Sequence, residues 1–193
     1  MPVDPSTLRV VSYPDPVLRK PTAPITPSDE VRAVARRMIE LMHEHNGIGL
    51  AAPQVGLPWR LFVTFVPPTD ERRLDADPLQ ADAEARVYLN PVLSEPEGPL
   101  EPLEEGCLSL PDVQGAVLRP RSITIDALDE NGTPVRRRAS GLLARCWQHE
   151  FDHLEGVLII DRMPPIHRMK NRGALRDLEA EYNMSRAPRP GRR

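Results

Sequence analysis

Apolar residues recur every three or four positions between Ser28 and Asn46, which is the spacing of one face of an α-helix. Ser28 is a suitable N-cap, and the acidic residues that follow it suit the positive end of the helix dipole. Asn46-Gly47 supplies a stop signal. The pattern therefore predicts an N-terminal amphipathic helix of about 18 residues. Its recurring positions are Val31, Val34, Met38, Leu41, Met42 and His45.

Shorter apolar runs predict β-strands. Leu61–Val66 has the composition of a buried strand. Val87–Leu93 predicts another, which Pro91 would place near a sheet edge because proline cannot donate a hydrogen bond to a neighbouring strand. Val117–Leu128 and Val135–Ala139 flank an Asn-Gly pair, so these two strands should form a hairpin.

A second helix is predicted from Ser140, a suitable N-cap, to Gly156, which would end it. Several strands precede this helix instead of alternating with helices, which favours an α+β fold over repeated βαβ units. We therefore expect antiparallel β-sheets packed around the second helix. The apolar face that would bury it contains Leu142, Leu143, Cys146 and Trp147.

The remaining segments are less regular. Residues 1–27 predict an extended, proline-rich arm, and the charged, proline-containing residues 67–86 predict a mobile surface loop. Val157–Ile160 predicts a short strand. Helical spacing returns after Pro164-Pro165 and predicts a C-terminal helix. The Arg/Pro tail, residues 186–193, is predicted to be disordered.

Composition narrows the class of protein. A chain of 193 residues can form its own hydrophobic core, so we expect a single domain, residues 1–193. The net charge of -3 does not favour binding to nucleic acid, for which no direct motif is present, or to a membrane surface. The first twenty residues lack the apolar core of a signal peptide, and no apolar run is long enough to cross a membrane. Because the chain also has only 2 cysteines, we expect a cytoplasmic protein.

The second predicted helix contains His149-Glu150-Phe151-Asp152-His153. Residues four apart lie on the same face of a helix, so His149 and His153 can direct two imidazoles at one metal ion. Glu150 lies about 100° around the helix from His149, where it can move protons without being a ligand. This arrangement is typical of metal-assisted hydrolysis.

A catalytic site of this type has three protein ligands and one open position. The candidates for the third ligand are His167, the acidic residues and the two cysteines. Cys107 stands in a segment predicted to be a loop between strands, from which a thiolate could reach a buried helix. Cys146 precedes His149 by three residues on the apolar face, which favours its interpretation as a small buried hydrophobic residue.

Three segments together resemble the peptide deformylase family. The family's motifs appear as GIGLAAPQ at 47–54, EGCLS at 105–109 and QHEFDH at 148–153, in the family's order. The resemblance extends over most of residues 8–184. It implies removal of the N-terminal formyl group from the formyl-methionine of newly synthesised proteins, with release of formate. The implied partners are N-formyl-methionyl nascent polypeptides, with transient contact with the ribosome, and the implied state is a monomer.

The resemblance implies that Cys107, His149 and His153 hold the metal and that Glu150 is the catalytic acid and base. Two neutral imidazoles and one thiolate would leave a divalent ion with a free position. The resemblance implies Fe²⁺ in the cell, with Zn²⁺, Ni²⁺ or Co²⁺ as replacements in purified protein.

Five further residues receive roles from the same resemblance. Gln54 and the backbone N–H of Leu108 would stabilise the oxyanion of the reaction. Ile48, Gly49 and Glu105 would belong to the substrate-binding set, and Glu105 would also fix a histidine tautomer by a hydrogen bond.

The sequence leaves two alternative functions open. A metallopeptidase that cuts internal peptide bonds shares the HExxH pattern but requires a downstream third ligand, for which His167 and Glu179 are available. A non-catalytic binding module with the same fold predicts the loss of at least one motif residue. All five are present, namely Gln54, Cys107, His149, Glu150 and His153.

Overall fold

The computed structural model describes residues 2–186, and these residues form a five-stranded antiparallel sheet with helices, which confirms the α+β class. The strands pair in sequence order: β1 (Gly49–Ala51), β2 (Leu61–Thr64), β3 (Arg86–Cys107), β4 (Leu110–Leu128) and β5 (Pro134–Ser140). The helices are α1 (Asp29–Glu44), α2 (Gly141–Leu154), α3 (Ile159–Arg162), α4 (Pro165–Lys170) and α5 (Arg172–Arg186). Short 3-10 turns occupy Pro5–Thr7, Pro16–Arg19 and Ala52–Val55. Apart from Arg186, the predicted disordered tail lies outside the described residues.

The helices α1 and α2 pack on opposite faces of the sheet, because successive side chains of a strand point to opposite sides. Leu61 and Val63 of β2 join the apolar cluster that contains the buried face of α1. Phe62, between them, joins the cluster that contains α2. Trp147 of α2 is fully buried and meets the ring of Tyr88 edge-on at 5.6 Å between centroids. The sheet therefore packs against the apolar face of α2.

The prediction that Val87–Leu93 lies near a sheet edge is wrong, because β3 is the third of the five strands. Pairing with β2 ends at Leu89, and the register with β4 shifts between Leu89 and Val92. Pro91 lies within this irregularity, where its missing N–H interrupts no regular ladder. Cys107, expected in a loop, is the last residue of β3 and pairs with Leu110 across the turn to β4.

Two other local predictions also need correction. Val157–Ile160 does not form a strand: α3 begins at Ile159, and the Asp161 side chain accepts a hydrogen bond from the N–H of Leu158 at 2.8 Å. The apolar side chains of this run pack into a third core cluster, so a buried helical turn satisfies the same pattern as a buried strand. The predicted C-terminal helix is divided into α4 and α5.

Most of the segment 67–86 is exposed or half-buried, but Ala81 and Asp82 within it are buried. The N–H of Leu79 donates to the carbonyl of Arg138 at 3.0 Å, and the N–H of Ser140 donates to the carbonyl of Leu79 at 2.8 Å, so Leu79 is held beside β5. Asp82 is fully buried. The interpretation as a surface loop is therefore wrong for the buried Ala81 and Asp82, and it stays a prediction for the rest of the segment. Within residues 2–186, we find no helix of the length and hydropathy that a bilayer crossing requires.

Candidate metal centre and active site

The sheet and α2 bring together one thiol and two imidazoles. His149 and His153, four residues apart on α2, have ring centroids 5.1 Å apart. Cys107 approaches from the end of β3, with its Sγ 3.2 Å from Nε2 of His153. One ligand atom from each of the three residues lies within 4.8 Å of the other two. A thiolate and two imidazoles at this spacing fit a divalent transition metal with an open coordination position.

Glu105 supports this cluster from a buried ionic network. Its Oε2 lies 3.0 Å from Nδ1 of His149. Arg119 donates to both carboxylate oxygens, at 2.7 and 2.9 Å, and Arg145 donates to Oε1 at 2.7 Å. Burial acts to raise the pKa of Glu105, but the hydrogen bonds from His149 and Arg119 outweigh it and hold that pKa well below its usual range. Glu105 is therefore an anion that orients the imidazole of His149.

The same surroundings favour positive charge on His149 but not on His153. Burial acts to lower the pKa of His149, yet its hydrogen bonds to Cys107 and Glu105 hold that pKa well above its ordinary value. Burial holds the pKa of His153 well below its ordinary value, so this ring is neutral. Cys107, Glu105 and Glu150 all stabilise a positive charge on His149. A divalent ion bound to the cluster would be stabilised in the same way, which is a second reason why these residues fit a metal.

Glu150 lies in the pocket beside the cluster and is only 4% exposed. Burial raises the pKa of its carboxyl to about 7, and its Oε2 has no hydrogen-bond partner among the described residues. The opposite oxygen fits against Gly49, where a Cβ would come within 2.4 Å of Oε1 and 2.8 Å of the Cys146 Sγ. Glycine at position 49 therefore leaves the space that the carboxylate occupies.

Gln54 is held in one orientation by its own turn. Its Oε1 accepts a hydrogen bond from the N–H of Ala51 at 2.8 Å, so its Nε2 points towards the cluster and donates to the Cys107 Sγ at 3.5 Å. Leu108 follows Cys107 directly, and its Cδ1 would be 2.9 Å from a Cβ at Gly47. Both residues line the same pocket as Cys107 and His149.

Every predicted site residue except His153 lines one pocket, and the Nε2 of His153 contacts the Sγ of Cys107, which does line it. The lining residues from the predicted set are Ile48, Gly49, Gln54, Glu105, Cys107, Leu108, His149 and Glu150. His167 does not belong to the ligand cluster found among residues 2–186. Cys146 is buried, its thiol donates to the Ile48 carbonyl at 3.3 Å, and burial raises its pKa, so it is a neutral thiol.

The sequence patterns did not predict the two arginines that contact Glu105, which are Arg119 and Arg145. Arg119 also donates to Asp152 of α2 at 2.9 Å, and Arg162 donates to the same carboxylate at 2.6 Å. The ionic network therefore extends from Glu105 through Arg119 to Asp152 and Arg162. Arg145 precedes His149 by four residues on α2 and so lies on the same face of the helix, where a charged residue could have indicated a buried acidic partner. Arg119 lies far away in the sequence and gave none.

Comparison with known proteins gives consistent matches. The family model for polypeptide deformylase matches residues 7–169. The chloroplastic peptide deformylase 1B of rice is 41% identical over 179 residues, which are 92% of this chain and 63% of that protein. The peptide deformylase of Maricaulis maris is 40% identical over 162 residues, covering 83% of this chain and 87% of that protein.

Solved structures agree with the sequence matches. The Arabidopsis thaliana peptide deformylase 1B in complex with an inhibitor superimposes with a TM-score of 0.81 at 36% identity, covering 96% of this chain and 98% of that one. The Plasmodium falciparum peptide deformylase gives a TM-score of 0.81 at 35% identity, covering 93% and 100%. These similarities extend over nearly the whole of both chains.

Proposed function

This chain belongs to the peptide deformylase family and is a metal-dependent hydrolase that removes the formyl group from nascent proteins, and we propose that the cluster of Cys107, His149 and His153 is its metal centre. The observation that carries the assignment is the spacing of the three ligand atoms, all within 4.8 Å of one another, beside a buried carboxylate. The metallopeptidase alternative is not favoured, because it leaves the cysteine motif without a role. α2 is then the central metal-binding helix of the fold, opposite the amphipathic α1.

A divalent ion held by these residues would act as a Lewis acid and lower the pKa of a water molecule at its open position. We propose Fe²⁺ as the ion in the cell, with Zn²⁺, Ni²⁺ or Co²⁺ as replacements in purified protein. The thiolate of Cys107 and the imidazoles of His149 and His153 would hold the ion. Glu105, which contacts Nδ1 of His149, would keep that nitrogen protonated and leave the other nitrogen free to bind.

Glu150 moves the protons of the reaction. It removes a proton from the water that attacks the formyl carbon, and it passes that proton to the amine as the carbon–nitrogen bond breaks and formate leaves. A pKa of about 7 suits both steps, because the group is then comparably able to accept and to donate near neutral pH.

Gln54 and Leu108 stabilise the negative oxygen that forms in the transition state. The Ala51 N–H fixes the amide of Gln54 with its donor side facing the cluster, and the backbone N–H of Leu108 provides the second donor. Donors fixed in this way contribute roughly 3–4 kcal/mol each. Ile48, Gly49 and Glu105 complete the wall against which the substrate lies.

The proposed setting is the cytoplasm, where the protein acts as a monomer on N-formyl-methionyl nascent chains and makes transient contact with the ribosome. The proposed function is tested by incubating freshly metallated protein with a formyl-Met peptide and, in parallel, with an internally cleavable peptide. We expect formate release from the first and no cleavage of the second, and chelation should abolish the activity. Cleavage of the internal bond without formate release would overturn the proposal.

A further inference from the structure

Part of the N-terminal arm runs past the ends of all three motif segments. We call residues 11–22 the N-terminal clasp. The N–H of Val11 donates to the backbone carbonyl of Gln54 at 2.8 Å. Two residues later, the N–H of Tyr13 donates to the carbonyl of Ser109, also at 2.8 Å. The clasp thus joins the residue that bears one proposed oxyanion donor to the residue that follows the other.

The far end of the clasp holds the end of α2. Both the N–H and the hydroxyl of Thr22 donate to the carbonyl of Leu154, at 2.9 and 3.0 Å, and Leu154 directly follows the proposed ligand His153. Gly156 adopts a φ of +71°, and a Cβ there would come within 2.6 Å of the carbonyl oxygen of Arg19. The backbone of the clasp therefore lies directly against the turn that ends α2.

The clasp is itself fixed to the body of the protein. Leu18 is fully buried in the core cluster that contains Leu110 and Leu158. The hydroxyl of Tyr13 donates to Glu179 of α5 at 2.9 Å. These contacts give the clasp a set position, so its hydrogen bonds can transmit that position to the segments that it touches.

We propose that the N-terminal clasp is a positioning segment that sets the distance between the oxyanion donors and the metal ligands. The inference rests on the proposed function, because it assigns the clasp a role in that reaction. Tens of residues separate the three motif segments along the chain, so non-covalent contacts must fix their relative positions. A displacement of about 1 Å in an active site can lower the rate by about a hundredfold.

The test replaces Val11 by its α-hydroxy acid, which exchanges the N–H for an ester oxygen and so removes the donor to Gln54 without changing any side chain. The exchange also makes the Val10 carbonyl a weaker acceptor, an effect that the same exchange at a control position reproduces for its own preceding carbonyl. We expect kcat to fall about tenfold with KM within about twofold, and metal content and melting temperature to stay close to those of the unmodified protein. The matched control is the same exchange at Arg9, whose N–H has no acceptor among the described residues. A second pair of variants changes the hydroxyl of Thr22, which donates to the Leu154 carbonyl. Thr22→Val removes this hydroxyl and should lower kcat, whereas Thr22→Ser keeps it and should retain the kcat of the unmodified protein.

The outcomes separate the clasp from the proposed function. Absence of formate release by the unmodified, metallated protein would overturn the function and the clasp together. If that protein is active and the ester at position 11 leaves kcat within twofold, the clasp proposal alone is wrong. A fall in kcat matched by loss of metal and of melting temperature would show a purely structural role and would also overturn it. If the ester variant does not fold, the Thr22 pair decides by the same kcat and KM criteria.

Discussion

Glu150→Gln separates metal binding from chemistry. The substitution keeps the size of the side chain and its fit against Gly49, but an amide cannot accept a proton from water at neutral pH. The Glu150 side chain is buried, and its Oε2 has no hydrogen-bond partner among the described residues.

The expected loss follows from the protonation state of the carboxyl. Burial raises the pKa of this carboxyl to about 7, which brings it close to the working pH at which a general acid–base group is most effective. That form of catalysis contributes about 10²–10⁴-fold, so kcat should fall at least about a hundredfold. This fall corresponds to an increase of about 2.7 kcal/mol in the activation free energy.

The assay measures metal stoichiometry and formate release on the same preparations. Metal content should stay near that of the unmodified protein, because all three proposed ligands remain. Glu155→Gln is the matched control: it removes the same charge just after α2, but Glu155 lies at the surface and pairs with Arg60. Near-normal turnover of Glu150→Gln would refute the proposed role, and loss of its metal would show that Glu150 is a ligand or an essential support.

Three further outcomes are expected. Gly49→Ala places a methyl group 2.4 Å from an oxygen of the buried glutamate, so kcat should fall about tenfold or more with metal retained; unchanged kinetics would show that the carboxylate is not confined there. Peroxide should modify Cys107 in parallel with loss of activity, because burial raises the pKa of Cys146 and keeps it a neutral thiol; peptide mass mapping that finds Cys146 oxidised first would contradict this. Replacing residues 69–76 by a short Gly-Ser linker should leave most formate release and most of the unfolding free energy. Asp82→Ala should instead lower the unfolding free energy by about 2 kcal/mol in a denaturant titration, because it removes the carboxylate that accepts from the buried Thr64 and Val66 and pairs with Arg137. Equal stability of these last two variants would be evidence against the burial argument.

Local spacing explains why much of the site was predictable. Two histidines four residues apart on one helix must lie on the same face, whatever surrounds the helix. The periodicity of residues 28–46 and the Asn-Gly pair before β5 are equally local signals, and the structure has α1 and the β4–β5 hairpin at those places. Resemblance, not spacing, supplied Cys107 as the third ligand, since the residues alone also left His167 and the acidic side chains open.

The sequence by itself therefore determined the α+β class, the helix that presents the two histidines and the motif residues that should meet there. Tertiary structure decided whatever depends on which distant segments touch. It placed β3 inside the sheet despite Pro91, turned an apolar run into α3, buried Asp82, and brought Arg119 to Glu105. Short-range patterns record the periodicity of a single element, whereas burial and ion pairing depend on the packing between elements, which no local window of sequence contains.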